Sequence, residues 1–89
     1  MKNTAKNFEL PCLDWRKSFY GKARVIVSDD GARTLQSYNT AVCKLDANGH
    51  FVRLWSGYSA TTMRHINSFL RFYGAGGGGK TWWDAQKVG

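Results

Sequence analysis

One segment constrains the fold of this chain more than any other: Ser59-Ala-Thr-Thr-Met-Arg-His-Ile-Asn-Ser-Phe-Leu-Arg-Phe-Tyr73. At about 100° per residue, Met63, Ile66, Phe69, Leu70 and Tyr73 fall on one stripe. Arg64, Asn67, Ser68 and Arg71 fall on the opposite side. The spacing predicts one long amphipathic helix. Ser59 is suited to cap it, because its hydroxyl can accept from an unpaired N–H of the first turn. A single apolar stripe has to be buried against another element, and a sheet is the partner the rest of the sequence offers. The outward side carries two arginines, an amide and a hydroxyl with no acid among them. A phosphate-facing surface has that composition, and so does an ordinary solvated face.

The strands come next. Lys22-Ala-Arg-Val-Ile-Val-Ser28 reads as a strand, and Asp29-Asp30-Gly31 as the tight turn that ends it. Arg33 to Asp46 is rich in β-branched and aromatic residues, but its alternation is split: Tyr38, Thr40 and Val42 share one parity, Leu35, Ala41, Cys43 and Leu45 the other. One strand with a bulge near Ser37 to Asn39 reconciles them. Asn48-Gly49 then signals a hairpin into His50-Phe-Val-Arg-Leu-Trp-Ser56. The expected architecture is α+β, a three-stranded antiparallel sheet packed on one main helix in the order β-β-β-α. Residues 22–73 form this core within a single domain of residues 1–89, with residues 1–21 as an N-terminal arm and 74–89 as a Gly-rich hinge and Trp-containing tail. Val52 and Leu54 are expected to face the helix. Phe51, Arg53 and Trp55 then share the other face, where they either stack on a ligand or are covered by Trp15 and Phe19 of the arm.

Charge narrows the partners. Thirteen Lys and Arg against six Asp and Glu give a net charge of +7, which favours an anionic partner: nucleic acid first, then an acidic protein surface. No Lys-rich amphipathic helix or membrane-length apolar run is present, so a membrane partner is not expected. Arg24, Arg33, Lys44 and Arg53 sit on strands, from which side chains can reach bases or phosphates. Lys80 and Lys87 flank Trp82 and Trp83, a pair that either folds back on the core or forms a contact site for protein or nucleic acid. The N-terminus lacks the apolar stretch of a signal peptide, so a cytoplasmic location is expected. Cys12 and Cys43 are far apart and without further cysteines, which points to reduced thiols and to neither a metal nor a cofactor.

Gly74-Ala-Gly-Gly-Gly-Gly-Lys80-Thr81 satisfies the G-x-x-x-x-G-K-T pattern of phosphate loops. The pattern works only where a buried parallel strand leads in and a helix opens toward the phosphates. Here the predicted helix leads in and eight residues follow, so the match reads as fortuitous, with Gly74 ending the helix and the other glycines forming a hinge. His50 adjoins a turn. His65 lies on the helix flank, where it donates a hydrogen bond or lies near a ligand phosphate, and no cysteine or acid stands at helical spacing from it. No catalytic residue is assigned, and a non-enzymatic protein is expected.

Three blocks carry a resemblance: Asp14-Trp-Arg-Lys-Ser-Phe-Tyr-Gly-Lys-Ala23, Leu35-Gln-Ser-Tyr-Asn-Thr-Ala-Val42 and Gly57-Tyr-Ser-Ala-Thr-Thr-Met-Arg-His-Ile-Asn-Ser-Phe-Leu70. The chain resembles, from about Asp14 to Trp83, a family of small uncharacterised proteins of phages, plasmids and bacteria. That resemblance implies an accessory protein of a phage or mobile element in a bacterial host cell. It also implies two modes of action: binding nucleic acid or a nucleoprotein complex, or inhibiting a host defence system in the manner of an anti-CRISPR protein with little free nucleic-acid affinity. A three-stranded sheet on one helix is also similar to small DNA-binding domains of integrases and plant transcription factors, which lay the sheet in the major groove. The residues expected to bind nucleic acid or a partner are Arg64, His65, Asn67 and Arg71 on the helix, Arg24, Lys44, Arg53 and Trp55 on the strands, and Lys80, Trp82 and Trp83 in the tail.

Overall fold

The structure, a computed structural model, describes residues 6–10 and 22–88. Among the described residues the sheet has five strands, β1 (Lys6–Glu9), β2 (Ala23–Val27), β3 (Arg33–Ser37), β4 (Thr40–Leu45) and β5 (Phe51–Arg53), in the spatial order β1-β2-β3-β4-β5 and antiparallel throughout. Two helices follow, α1 (Ala60–Phe72) and α2 (Lys80–Asp84). The class is α+β, but the expected three-stranded sheet is corrected to five strands.

Each added strand has a physical origin. Lys6–Glu9 belongs to the sheet because Phe8 and Leu10 alternate with Asn7 and Glu9, and Phe8 pairs with Val25 while Leu10 N–H donates to the Ala23 carbonyl at 2.8 Å. The arm therefore begins as an edge strand; Trp15 and Phe19, expected to cover Arg53 and Trp55, lie outside the described residues. The stretch from Arg33 to Asp46 is a hairpin and not one strand. Its two-residue turn places Tyr38 at φ +56°, a left-handed conformation in which tyrosine is uncommon. The register shift falls between Leu35 and Gln36, where Leu35 pairs with Cys43 and Gln36 with Ala41. Val42 is thus the extra residue, and its carbonyl accepts from both Leu54 N–H and Trp55 N–H.

One rung of the sheet reads Phe8–Val25–Leu35–Cys43–Arg53, and its neighbours place Leu10, Ala23, Ser37, Leu45 and Phe51 on the same face. Both helices cover that face. Met63, Ile66, Phe69 and Leu70 of α1 pack with Val25, Leu35, Cys43 and Leu45, and Trp83 of α2 completes the core. Each fully buried apolar side chain of this size contributes about 2 kcal/mol. Ser59 caps α1 by accepting from Thr62 N–H. At the other end, Gly74 N–H donates to the Arg71 carbonyl and Ala75 N–H to the Leu70 carbonyl, the bond pattern of a left-handed helix stop with Gly74 at φ +68°.

The facing of β5 is the reverse of expectation. Phe51 and Arg53 point to the helix side, whereas Val52 joins the other face through its pairing with Lys44. Arg53 goes inside because its donors are met there. Its Nε donates to the Trp55 carbonyl (2.8 Å), Nη1 to those of Trp83 (2.8 Å) and Gln86 (3.3 Å), and Nη2 to those of Ser56 (2.9 Å) and Gly57 (3.4 Å). The guanidinium also stacks 4.2 Å from the Trp83 ring centroid, and Trp83 Nε1 donates to the Gly57 carbonyl. The tail is consequently a built part of the core. Val88 forms a parallel bridge to Arg53 beside β5.

Candidate nucleic-acid interface

The structure separates the predicted binding residues into three groups. The first is interior. Arg53 clamps the tail, Trp83 is fully buried, and Trp55 and Trp82 are half-buried against the core. Phe51 meets the Trp82 ring at 4.7 Å and the Trp83 ring at 6.3 Å. These residues present no stacking platform to a ligand.

His65 is also interior, only 1% exposed. It was expected on the flank, near a ligand phosphate, because helix periodicity placed it just off the stripe; the sheet extends far enough under α1 to enclose it. Ser37 Oγ lies 2.8 Å from His65 Nδ1 and 3.1 Å from Thr62 Oγ1, forming a buried polar cluster between β3 and α1. Burial, reinforced by the Arg64 charge, lowers the His65 pKa to about 4, so the ring is neutral at physiological pH. A serine and a histidine in hydrogen-bond contact make a nucleophile–base pair only when substrate can reach them, and this pair is sealed. Cys43 is likewise enclosed, with its thiol pushed far above the ordinary range by burial.

The second group lies on the sheet face opposite the helices. Two successive rungs present Asn7–Ile26–Thr34–Lys44–Val52 and Glu9–Arg24–Gln36–Ala41. Among the described residues no element packs on this face. Arg24 is held by Asn7, its Nη2 donating to Oδ1 at 2.6 Å. Arg33, also expected to reach a ligand from its strand, points instead to the helix side, 4.9 Å from the Tyr73 ring and bonded to the Asp46 carbonyl. Asp29 and Asp30 in the β2–β3 turn and Asp46 at the β4–β5 turn collect at one end of the sheet, where Asp30 accepts from Ala32 N–H and Asp46 from Asn48 and His50 N–H. Those turn bonds hold Asp46 below its ordinary pKa. With the turn acids confined to the end, Arg24 and Lys44 face outward with one carboxylate, Glu9, on the same face among the described residues.

The third group lies beyond α1, on the opposite side of the molecule. Asn67 and Arg71 are exposed and, with Leu70, Gly74, Ala75, Gly77, Gly78 and Gly79, line a groove of about 550 Å³. Gly79 N–H donates to Asn67 Oδ1 at 3.2 Å. A Cβ on Gly77 would fall 2.4 Å from the Trp82 ring, and one on Gly78 would fall 2.7 Å from Asn67 Oδ1, which is why the loop between the helices is glycine. Arg64, half-buried on α1, does not line the groove. Nor does Lys80: it pairs with Asp84 at 2.8 Å and lies 5.3 Å from the Tyr58 ring. A helix leads into this loop and the sheet is antiparallel, so the strand–loop–helix frame of a phosphate loop is absent, although a short helix does open at Lys80.

Sequence reading missed Asn7, Thr34 and Gln36 as companions of Arg24 and Lys44. The alternation of Lys6–Leu10 and of Arg33–Ser37 was the signal that could have placed them. Among the described residues, no group of three or more His, Cys, Asp or Glu is placed to hold a metal, and no helix is long and apolar enough to cross a membrane. Over residues 8–85 the chain matches a family described as a family of unknown function, DUF8033, and it belongs to that family. No curated protein and no solved structure matches it.

Proposed function

We propose that this chain is a non-enzymatic nucleic-acid-binding module that contacts the phosphate backbone of a duplex with the open face of its sheet. The observation that carries the reading is the pairing of Arg24 and Lys44 with the neutral donors Asn7, Thr34 and Gln36 on the sheet face opposite the two described helices. Phosphate contacts use such residues, and a +7 chain gains further from counterion release. Among the described residues that face carries no aromatic ring, whereas single-strand binders rely on rings for stacking; this favours a duplex. Width argues against deep insertion. Three strands span about 10 Å and fit a major groove of about 12 Å, but five span about 19 Å and do not. The sheet therefore lies across the backbone, with weak dependence on base sequence. Ile26 and Val52 on the same face favour one second reading, a protein contact by which the chain inhibits a host complex.

Fluorescence anisotropy with labelled duplex DNA, duplex RNA and single-stranded DNA at about 50 mM salt tests the proposal. Duplex binding should fall steeply with salt, and the Arg24→Gln/Lys44→Gln double variant should lower both the affinity and the salt slope. Absence of binding to any of the three at that salt sinks the nucleic-acid reading and leaves the protein contact.

A further inference from the structure

We propose that Asn7 is a positioning residue for Arg24, and that the two form a preassembled clamp for one backbone phosphate of a duplex. The clamp rests on the nucleic-acid reading of the sheet face and adds to it which of the contacts is fixed in advance.

The pair is built by register. Glu9 lies opposite Arg24 and Asn7 opposite Ile26, so Asn7 and Arg24 are diagonal neighbours on adjacent strands and share the face opposite the helices. Arg24 Nη2 donates to Asn7 Oδ1 at 2.6 Å, a short charge-assisted bond. Among the described residues Arg24 bonds to Asn7 alone and makes no ion pair; Glu9, directly across from it, is engaged elsewhere.

This bond orients the guanidinium without using it up. Arginine presents two edges with a pair of N–H groups on each, Nε with Nη2 and Nη1 with Nη2, and the Asn7 bond takes one hydrogen from one edge. The other edge stays whole. Two parallel N–H donors match two oxygens of one phosphate. Lys44, two strands away on the same face, differs: its ammonium has no partner among the described residues and acts as a mobile point charge. Arg24 thus supplies orientation, and Lys44 supplies charge. A long side chain that is already held loses less rotamer freedom when the phosphate arrives, and this is the gain that Asn7 provides. Asn7 adds no charge, so its removal weakens binding without changing how many counterions the duplex releases.

A double-mutant cycle on Asn7 and Arg24, read by fluorescence anisotropy with labelled duplex DNA from about 50 to 200 mM salt, tests the clamp. Asn7→Ala should weaken binding about three- to tenfold and leave the slope of log K against log salt unchanged. Arg24→Gln should weaken it further and flatten the slope by about one. Added to Arg24→Gln, Asn7→Ala should cost less than about twofold, because Asn7 acts only through the guanidinium. Asn7→Asp is a second variant: it keeps an acceptor for Arg24, neutralises its charge and should flatten the slope as Arg24→Gln does. Asn7 is exposed on an edge strand anchored by the buried Leu10, so these variants should fold, and far-UV circular dichroism checks that they do. The clamp is overturned if folded Asn7→Ala binds like wild type, if it flattens the slope by itself, or if its cost persists undiminished in the Arg24→Gln protein. A wild type that binds no duplex, or an Arg24→Gln/Lys44→Gln protein that binds as well as wild type, overturns the sheet reading and the clamp with it. The two failures are therefore distinct.

Discussion

Acidification should destabilise this protein through His65. The ring is buried with Ser37 and Thr62, and its pKa falls from the ordinary 6.5 to about 4. A histidine with a depressed folded pKa binds more protons unfolded than folded between those two values. Its contribution to stability is therefore complete above pH 6.5, is lost progressively as pH falls toward about 4, and falls no further below that. A separation of two to three pH units corresponds to about 3 kcal/mol, most of it already lost at about pH 4.5. Urea unfolding followed by tryptophan fluorescence gives the measurement. With a slope of about 1 kcal/mol per molar urea for a domain of this size, the midpoint should drop by about 2 to 3 M between pH 7 and 4.5. His65→Gln removes the titrating group while leaving the exposed His50–Asp46 pair in place, so its midpoint should move much less over the same interval. Equal slopes for wild type and His65→Gln would refute the reasoning, because the pH dependence would then belong to other groups.

Two further perturbations test the packing. Arg53→Met should cost about 3 kcal/mol or more, since it strips donors from the carbonyls of Trp55, Ser56, Gly57, Trp83 and Gln86, and the exposed Trp83 should shift the emission to longer wavelength. Gly77→Ala, at φ +112° with its Cβ 2.4 Å from the Trp82 ring, should lower stability by about 1 to 3 kcal/mol in thermal denaturation, whereas Gly76→Ala, with nothing within 4 Å, should be nearly neutral.

What was legible in the sequence was local. The α1 stripe and its Ser59 cap are set by residues within a few positions of one another, and the Asn48-Gly49 hairpin is specified by its own dipeptide. What escaped depends on partners far along the chain. Lys6–Glu9 is too short to declare itself and becomes a strand only by pairing with β2. The turn between β3 and β4 lacks glycine, and Tyr38 adopts a conformation its side chain disfavours, so two strands read as one. Arg53 carries the charge of a surface residue, yet the Trp83 and Gln86 carbonyls that justify its burial lie thirty or more residues away. His65 is drawn in by Ser37, on a strand whose separate existence was not apparent. In the candidate sites, Arg71 and Asn67 followed from helix periodicity, but their meeting with the glycine loop follows from the docking of Trp83.

That docking links the core to the groove. The glycine loop is pinned at one end by the helix stop at Gly74 and at the other by α2, whose Trp83 is held by Arg53 and by the Gly57 carbonyl. Gly78 and Gly79 meet Asn67 only along this path. Were the tail to leave the core, Arg71 and Asn67 would remain on α1, but the donors of the loop would disperse. Any ligand held by both walls of the groove must therefore stabilise the docked tail in proportion to its occupancy, by about 2.7 kcal/mol at a hundredfold excess over Kd. Arg53 is coupled to that ligand without touching it, because loosening the clamp raises the population in which half the groove is missing. A cation that the sequence placed at the binding surface thus lies inside the core, where it holds the tail on which the groove is built.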